Sequence, residues 1–178
     1  MEGLIYVEEF VTPEEERDVL GQLEAIEYKP VVMRGQASLR GVRHFGLDYD
    51  YGDRAVLPSD PLPEPLEWLR ERCAALIERE PADLAQILIS RYPPGAGIGW
   101  HRDAPMFGSK IAGVSLLAPS RMRFQRKVEG ERETHAIELA PRSAYVLSGP
   151  ARWSWQHTIP AQKELRYSIT FRTLRRGK

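Results

Sequence analysis

From Ala85 to Leu174 the chain is a succession of short β-prone runs set apart by turn residues. Ile87-Leu88-Ile89-Ser90-Arg91-Tyr92 is stopped by Pro93-Pro94-Gly95. Ile111 to Leu117, Met122 to Lys127, His135 to Leu139, Ser143 to Leu147 and Arg166 to Leu174 are separated by Pro119, Glu129-Gly130-Glu131, Pro141 and Gly149-Pro150. Proline cannot donate to a ladder and glycine supplies the tight turn, so each run ends where its neighbour must reverse. Many short strands at this spacing, following helices, predict an α+β chain, mainly β: an antiparallel sandwich or barrel with the N-terminal helices packed outside it.

Two helices stand out in the first half. Thr12-Pro13-Glu14-Glu15 supplies an N-cap, a proline at the first helical position and a capping-box glutamate. Val19, Leu20, Leu23 and Ile26 then recur at helical spacing. A second helix is predicted from Pro63 or Pro65 to about Arg79, with Leu66, Leu69, Cys73, Leu76 and Ile77 on one face. Between them, Val31 to Tyr51 is rich in glycine, arginine and aromatics and reads as a hairpin or long loop. No internal repeat or low-complexity linker divides the 178 residues, so one domain is expected over 1–178.

Composition narrows the function classes. A hydrophobic share of 42%, a charged share of 28% and 25 basic against 25 acidic residues exclude a coiled coil, gross disorder and a bulk polycation. The longest apolar runs are too short to span a bilayer, and the N-terminus lacks the basic and apolar regions of a secretory signal. Cys73, the one cysteine, can form neither an internal disulfide nor a cysteine-based zinc site, and reads as a buried structural thiol. No membrane partner and a cytoplasmic location are the resulting expectations.

The chemistry concentrates in the β half. In an extended segment residues two apart point the same way, so His101 and Asp103 can converge on one ion while Trp100 and Arg102 face elsewhere. Alone, that pair is equally a loop histidine bonded to a nearby aspartate. His157, just before the last strand, completes two imidazoles and one carboxylate, the facial set that holds non-heme iron(II) and leaves positions open. His44, in the early loop, and His135, on a surface-looking strand, fit less well. In Arg166-Tyr167-Ser168-Ile169-Thr170-Phe171-Arg172, alternation puts Arg166, Ser168, Thr170 and Arg172 on one face and Tyr167, Ile169 and Phe171 on the other. An arginine-bearing face suits a barrel interior that holds a small dianion, and without the metal set it would suit a solvated edge strand equally well. The two arginines lie six residues apart, roughly 20 Å of strand, and can fold inward to bracket a dicarboxylate.

Taken together these segments resemble the AlkB family of Fe(II)- and 2-oxoglutarate-dependent dioxygenases. The resemblance is carried by Ile89-Ser90-Arg91-Tyr92 with its following Pro and Gly, His101-x-Asp103, Ser148-Gly149-Pro150-Ala151-Arg152 leading to His157, and Arg166 with Arg172, in family order over residues 85–174. It implies a double-stranded β-helix (jelly-roll) catalytic core over 85–174, with 1–84 supplying helices and a substrate-lid region around Arg40-Gly41-Val42-Arg43-His44-Phe45-Gly46. It implies Fe(II), 2-oxoglutarate and O2, with His101, Asp103 and His157 as metal ligands. Arg166, helped by Tyr92, would meet the distal carboxylate of 2-oxoglutarate, and Arg172 would lie near its metal-bound end. Ser90 and Ser168 would contact the cosubstrate too, each donating one hydrogen bond where the better-known bacterial members carry asparagine, and Ala104 to Gly108 lacks a carboxylate used there in base recognition.

The same resemblance implies oxidative demethylation of alkylated bases in DNA or RNA, a nucleic-acid repair chemistry yielding succinate, CO2 and formaldehyde, by a monomer. A base brought to buried iron must leave its stack and meet aromatic or apolar groups. Candidates are Trp100, His44, Phe45, Tyr49, Tyr51, Trp153 and Trp155, with Arg34, Arg40, Arg43 and Arg102 available for phosphates or the base. Charge is unevenly spread: residues 1–118 hold 12 basic and 20 acidic side chains, residues 119–178 hold 13 and 5. The basic share, ending Arg172-Thr173-Leu174-Arg175-Arg176-Gly177-Lys178, could line a nucleic-acid groove or pair with the acidic first helix. Two other functions fit the pattern: a protein hydroxylase or demethylase with the same cofactors, and a jelly-roll binding module without oxidation.

Overall fold

The structure, a computed structural model, describes residues 1–50 and 55–175. Tyr51, a candidate base contact, and the basic tail beyond Arg175 lie outside the described residues.

Thirteen strands are described: β1 (Leu4–Val7), β2 (Lys29–Met33), β3 (Gln36–Phe45), β4 (Leu47–Asp50), β5 (Ala55–Pro58), β6 (Gln86–Tyr92), β7 (Ile98–His101), β8 (Phe107–Leu116), β9 (Ser120–Val128), β10 (Glu131–Leu139), β11 (Ser143–Leu147), β12 (Gln156–Ile159) and β13 (Arg166–Leu174). A seven-stranded sheet runs β1-β11-β8-β13-β6-β3-β2, and a four-stranded sheet runs β10-β9-β12-β7. Their pairings are antiparallel throughout. The two sheets pack face to face as the jelly-roll core of a double-stranded β-helix, with a small β4-β5 hairpin beside them.

Alternation along the strands of the larger sheet builds two separate interiors. Outward-facing Ile87, Ile89, Ala112, Val114, Leu116, Tyr167, Ile169 and Phe171 bury against the helices α1 (Pro13–Glu24) and α2 (Glu67–Leu76). Inward-facing Ile111, Tyr145 and Leu147 meet Met122, Phe124 and Ile159 of the smaller sheet. Each fully buried large side chain contributes about 1.5–3 kcal/mol. The inner face of the larger sheet is apolar only near β1, β8 and β11; from β13 to β3 it becomes polar.

The helices follow their local chemistry. Thr12 Oγ1 accepts the Glu15 N–H at 3.1 Å and Glu15 Oε1 accepts the Thr12 N–H at 2.9 Å, closing the expected capping box. The second helix is shorter than its periodicity predicts: Glu64–Leu66 is a 3-10 turn and α2 ends at Leu76. Glu78 adopts a left-handed φ of 56°, and the Arg79 N–H reaches back to the Ala74 carbonyl at 2.9 Å. That is a Schellman stop with glutamate in the place glycine usually takes. Cys73 is buried between α2 and the sheet, and burial pushes its thiol pKa well up, as an inert structural thiol requires.

Of the two readings of Val31 to Tyr51 the structure takes the hairpin: β3, which holds Arg40 to Phe45 of the expected lid segment, is hairpinned to β2 and paired with β6 from Gly41↔Arg91 to Phe45↔Ile87. Its glycines read as loop signals, yet Gly41 sits in the ladder close beside Tyr28, and only Gly46, at φ 75°, turns the chain. No helix among the described residues is long and apolar enough to cross a membrane.

Candidate active site

A cavity of about 540 Å³ opens between the sheets where the larger one turns polar. Its base is set by register. Ser143, Ser115, Ser168 and Ser90 are cross-strand neighbours over β11, β8, β13 and β6, a row of small side chains of which Ser168 and Ser90 line the cavity. Gly113 lies one step along, where an added Cβ would overlap the Tyr145 ring that forms part of the wall.

His157 and His101 face each other as a cross-strand pair of β12 and β7, with ring centroids 4.2 Å apart. A bulge follows, since Ile159 pairs with Ile98, and Thr158 Oγ1 closes it by donating to the Ile98 carbonyl at 2.6 Å. Bulges re-aim neighbouring side chains, and this one directly adjoins the His101–His157 pair. One ligand atom each from His101, Asp103 and His157 lies within 4.8 Å of the others. The His101 Nδ1–H donates to the Gly99 carbonyl at 2.7 Å, which leaves Nε2 with a lone pair toward the cluster.

Asp103 is not placed by strand alternation, because β7 ends at His101. Two arginines hold it. Arg172 Nη1 donates to Asp103 Oδ2 at 2.8 Å, and Arg152 donates to the carbonyls of Asp103, Ala104, Phe107 and Gly108 at 2.8–3.1 Å. Arg152, 3% exposed, therefore fixes the loop after the aspartate from the short helix α3 (Gly149–Trp153). Burial alone would push the Asp103 carboxyl up, but the Arg172 guanidinium, with further help from the two imidazoles, holds it down at about 2. Burial presses the His157 imidazole down to about 3, and His101 is lowered for the same reason. At neutral pH the set is two neutral imidazoles and one carboxylate, the protonation states a divalent ion needs.

β13 carries the second half of the site. As its alternation predicts, Arg166, Ser168, Thr170 and Arg172 line the cavity while Tyr167, Ile169 and Phe171 enter the helix-side core. β13 is a central strand, paired with β6 and β8, so these arginines are not a solvated edge. Arg166 is 1% exposed; its Nε donates to Ser115 Oγ at 3.1 Å and its guanidinium stacks 5.1 Å from the Tyr92 ring. Arg172 Nε donates to Gln86 Oε1 at 2.8 Å. Among the described residues, the buried side-chain nitrogens without a partner are Arg166 Nη1 and Arg172 Nη2. Leaving charged donors unmade in the interior is costly, so both fit an anionic ligand that supplies acceptors. Two guanidiniums on the cavity face of one strand and a His-Asp-His set match a dicarboxylate cosubstrate beside a divalent metal.

The cavity also gathers Ser90, Tyr92, Trp100, Arg40 and Arg102. Trp100 and Arg102, expected to face elsewhere while His101 and Asp103 converge, stand on the rim instead, because the bulge and the end of β7 break the alternation. Arg40 is 8% exposed and donates to Ser90 Oγ at 2.9 Å, so it is an interior residue of β3, unlike the loop position expected. Other candidates are placed elsewhere. Arg43 and Phe45 fall on the opposite face of β3: Phe45 is in the helix-side core, with Arg43 stacked 4.9 Å above it and paired to Asp60 at 2.7 Å. His44 Nδ1 is 2.9 Å from Gln86 Nε2, and Tyr49 packs on Phe107 with centroids 5.9 Å apart. Trp155 is buried between the sheets, and Trp153 stacks with Arg152 at 4.0 Å. Sequence reading missed Ser115, Tyr145, Gln86 and the role of Arg152. The register of a serine on β8 with Ser168 carries no local signal, and Arg152 is marked only by its place before His157.

A sequence-family model described as the 2OG-Fe(II) oxygenase superfamily matches residues 3–172. The chain is 35% identical over 171 residues to the tRNA (carboxymethyluridine(34)-5-O)-methyltransferase alkbh8 of Xenopus tropicalis, covering 90% of this chain and 26% of that protein. It is 29% identical over 188 residues to the alkylated DNA repair protein ALKBH8 homolog of Arabidopsis thaliana, covering 90% of this chain and 51% of that one. The chain thus spans between about a quarter and a half of these curated relatives. The solved structure of OsALKBH1 superposes with a TM-score of 0.73 at 15% identity, over 96% of both chains, and shares the fold. With the metal-ligand set and the paired arginines in one cavity, and the family match running from the first strand to the last, the chain belongs to the 2OG-Fe(II) oxygenase superfamily in its AlkB branch, whose cofactors are Fe(II), 2-oxoglutarate and O2.

Proposed function

We propose that the protein oxidatively demethylates alkylated bases in a nucleic-acid strand. His101, Asp103 and His157 would hold the iron, and Arg166, Arg172 and Tyr92 the 2-oxoglutarate. With both bound, the site supplies O2-dependent hydroxylation of a methyl group, coupled to conversion of 2-oxoglutarate to succinate and CO2. A hydroxymethyl on a ring nitrogen then breaks its C–N bond, the hydroxyl proton returning to that nitrogen as formaldehyde leaves.

The chain's own side chains do the rest. Arg172 orients the Asp103 carboxylate, Gly99 fixes the His101 tautomer, and the apolar wall of Tyr145, Met122 and Ile159 keeps water from the reacting methyl. The observation that carries the nucleic-acid substrate is a groove beside the cavity, lined by Arg102, Gln125, Arg126, Lys127, Arg132, Ser154 and Gln156. Arg102 belongs to both linings, so the groove opens on the cavity rim. Lys127 and Arg132 are directly opposed on β9 and β10, a like-charge pair that costs stability unless a polyanion relieves it. Arg123 stacks 5.7 Å from the exposed Trp100 ring on the same rim, an arrangement suited to an unstacked base.

The test is exposure of the Fe(II)- and 2-oxoglutarate-loaded protein to a pool of oligonucleotides, each carrying one N-methylated base, with products read by mass spectrometry. Loss of one methylene from at least one member is expected. An unchanged mass across the pool, with succinate formed on a methylated peptide panel instead, would overturn the proposal in favour of a protein substrate.

A further inference from the structure

The charge on the cavity wall is lopsided. Its described lining holds four arginines, Arg40, Arg102, Arg166 and Arg172, against a single carboxylate, Asp103. Iron(II) and the 2-oxoglutarate dianion cancel each other formally, so loading the site leaves the imbalance intact. The dianion offers acceptors to Arg166 and Arg172, whose unpartnered nitrogens await them. Asp103 is committed to Arg172 and the metal position. Arg40 and Arg102 remain without a counter-charge, since neither is in an ion pair among the described residues.

Of the two, Arg102 is exposed and can meet a strand phosphate at the rim. Arg40 cannot, at 8% exposure. Its guanidinium is fixed on Ser90 Oγ at 2.9 Å and lies 6.0 Å from the Tyr92 ring, so it points its charge into the chamber where the target base would sit. The loop after Asp103, Ala104 to Gly108, adds no acid, and Arg152 occupies its carbonyls.

Resting on the demethylation proposed above, we infer that Arg40 makes this cavity select alkylated bases that are neutral or anionic, and reject those that carry a positive charge. A cationic base would be desolvated beside a fixed guanidinium, with the one lining carboxylate, Asp103, already engaged by Arg172. A base presenting a carbonyl oxygen or a carboxylate to Arg40 gains a charge-assisted hydrogen bond instead. Arg40 is thereby a specificity-determining residue that is not a metal ligand and enters the chamber beside Ser90 and Tyr92.

A matched pair of probes isolates charge. 3-Methylcytosine is cationic at neutral pH, and 3-methyluracil is its neutral counterpart, differing at the exocyclic group on C4. Each is placed once in the same oligonucleotide and its affinity for the loaded protein is measured without O2, so phosphate contacts cancel in the ratio. Formaldehyde release on adding O2 is read separately. The wild type should bind the 3-methyluracil strand roughly tenfold or more tighter, a modest fraction of the Coulomb repulsion expected for like charges in a partly desolvated chamber. Arg40→Gln should shrink that ratio at least several-fold, and Arg40→Lys, which keeps the charge, should retain most of it. Equal or reversed affinities in the wild type overturn the inference alone, and formaldehyde release still reports on demethylation. A preference untouched by Arg40→Gln in a folded protein also overturns it. Binding of neither modified strand above the unmodified one overturns both readings.

Discussion

Replacing Arg172 with methionine removes a guanidinium while keeping an unbranched stem of similar reach. In the folded protein Arg172 is 4% exposed and its Nη1 lies 2.8 Å from Asp103 Oδ2, whose side chain is 10% exposed. Two unit charges about 4 Å apart at an effective dielectric constant near 20 interact by about 4 kcal/mol. Breaking a buried pair from one side costs about 3–5 kcal/mol, because the surviving charge stays buried without its partner. The stacking on Phe107, 4.1 Å from the guanidinium carbon, adds about 0.5–2 kcal/mol to the loss. The assay is urea unfolding in chelator, so that metal cannot stand in for the lost cation, at pH 7 and at pH 4.5. In the wild type the Asp103 carboxyl sits at about 2, below its unfolded value. Its contribution is therefore present above that unfolded value and is lost only as pH falls through about 2. Without Arg172 burial dominates and the folded pKa rises above the unfolded one, so the variant is stabilised, relative to wild type, by protonation as pH falls. The difference between the two proteins should accordingly shrink from pH 7 to pH 4.5. A loss below about 1 kcal/mol at pH 7, or a loss independent of pH, would refute the electrostatic coupling and leave only packing.

Three further outcomes are expected from other parts of the molecule. Arg166→Lys keeps the charge but forfeits the planar fork that Ser115 orients, and should raise the 2-oxoglutarate dissociation constant by on the order of 10- to 100-fold, measured by calorimetry. Reversing Lys127 and Arg132 to glutamate should weaken oligonucleotide binding and flatten its salt dependence, while 2-oxoglutarate affinity stays unchanged. Glu15 is held at about 2, first by its hydrogen bonds from Arg72 and then by that from the Thr12 N–H. Its stabilising contribution is lost as pH falls from about 4.5 to about 2, so Glu15→Gln should flatten that limb of the stability curve and leave the plateau above it lower.

Features set by local chemistry were legible in the sequence. Proline and glycine punctuation delimited the strands after Ala85, Thr12 and Glu15 announced their own capping box, and the alternation of β13 separated a polar face from an apolar one. His101, Asp103 and His157 were recognisable as a set. Their convergence was not derivable from spacing, because the bulge opposite Thr158 and the arginines that hold Asp103 come from distant elements. Val31 to Tyr51 left a hairpin and a long loop open for a related reason, and the structure takes the hairpin, β2 with β3. Gly41 and Gly46 flank aromatic and basic residues as loop glycines would, whereas β6 pairs with Gly41 to Phe45 and turns Phe45 toward the helices. Arg40 shows the same limit: its neighbours in sequence suggest a solvated face, and only pairing across to Ser90 reveals an interior charge.

Coupling of 2-oxoglutarate turnover to removal of a methyl group from a base, within one cavity, is the central claim. Its most direct measurement is the ratio of formaldehyde to succinate released on a methylated oligonucleotide, set against the same strand unmethylated. One formaldehyde per succinate is expected on the methylated strand, with only slow succinate release without the methyl group and loss of both products in His101→Ala. Succinate released at equal rates on both strands, with no formaldehyde from either, would contradict it.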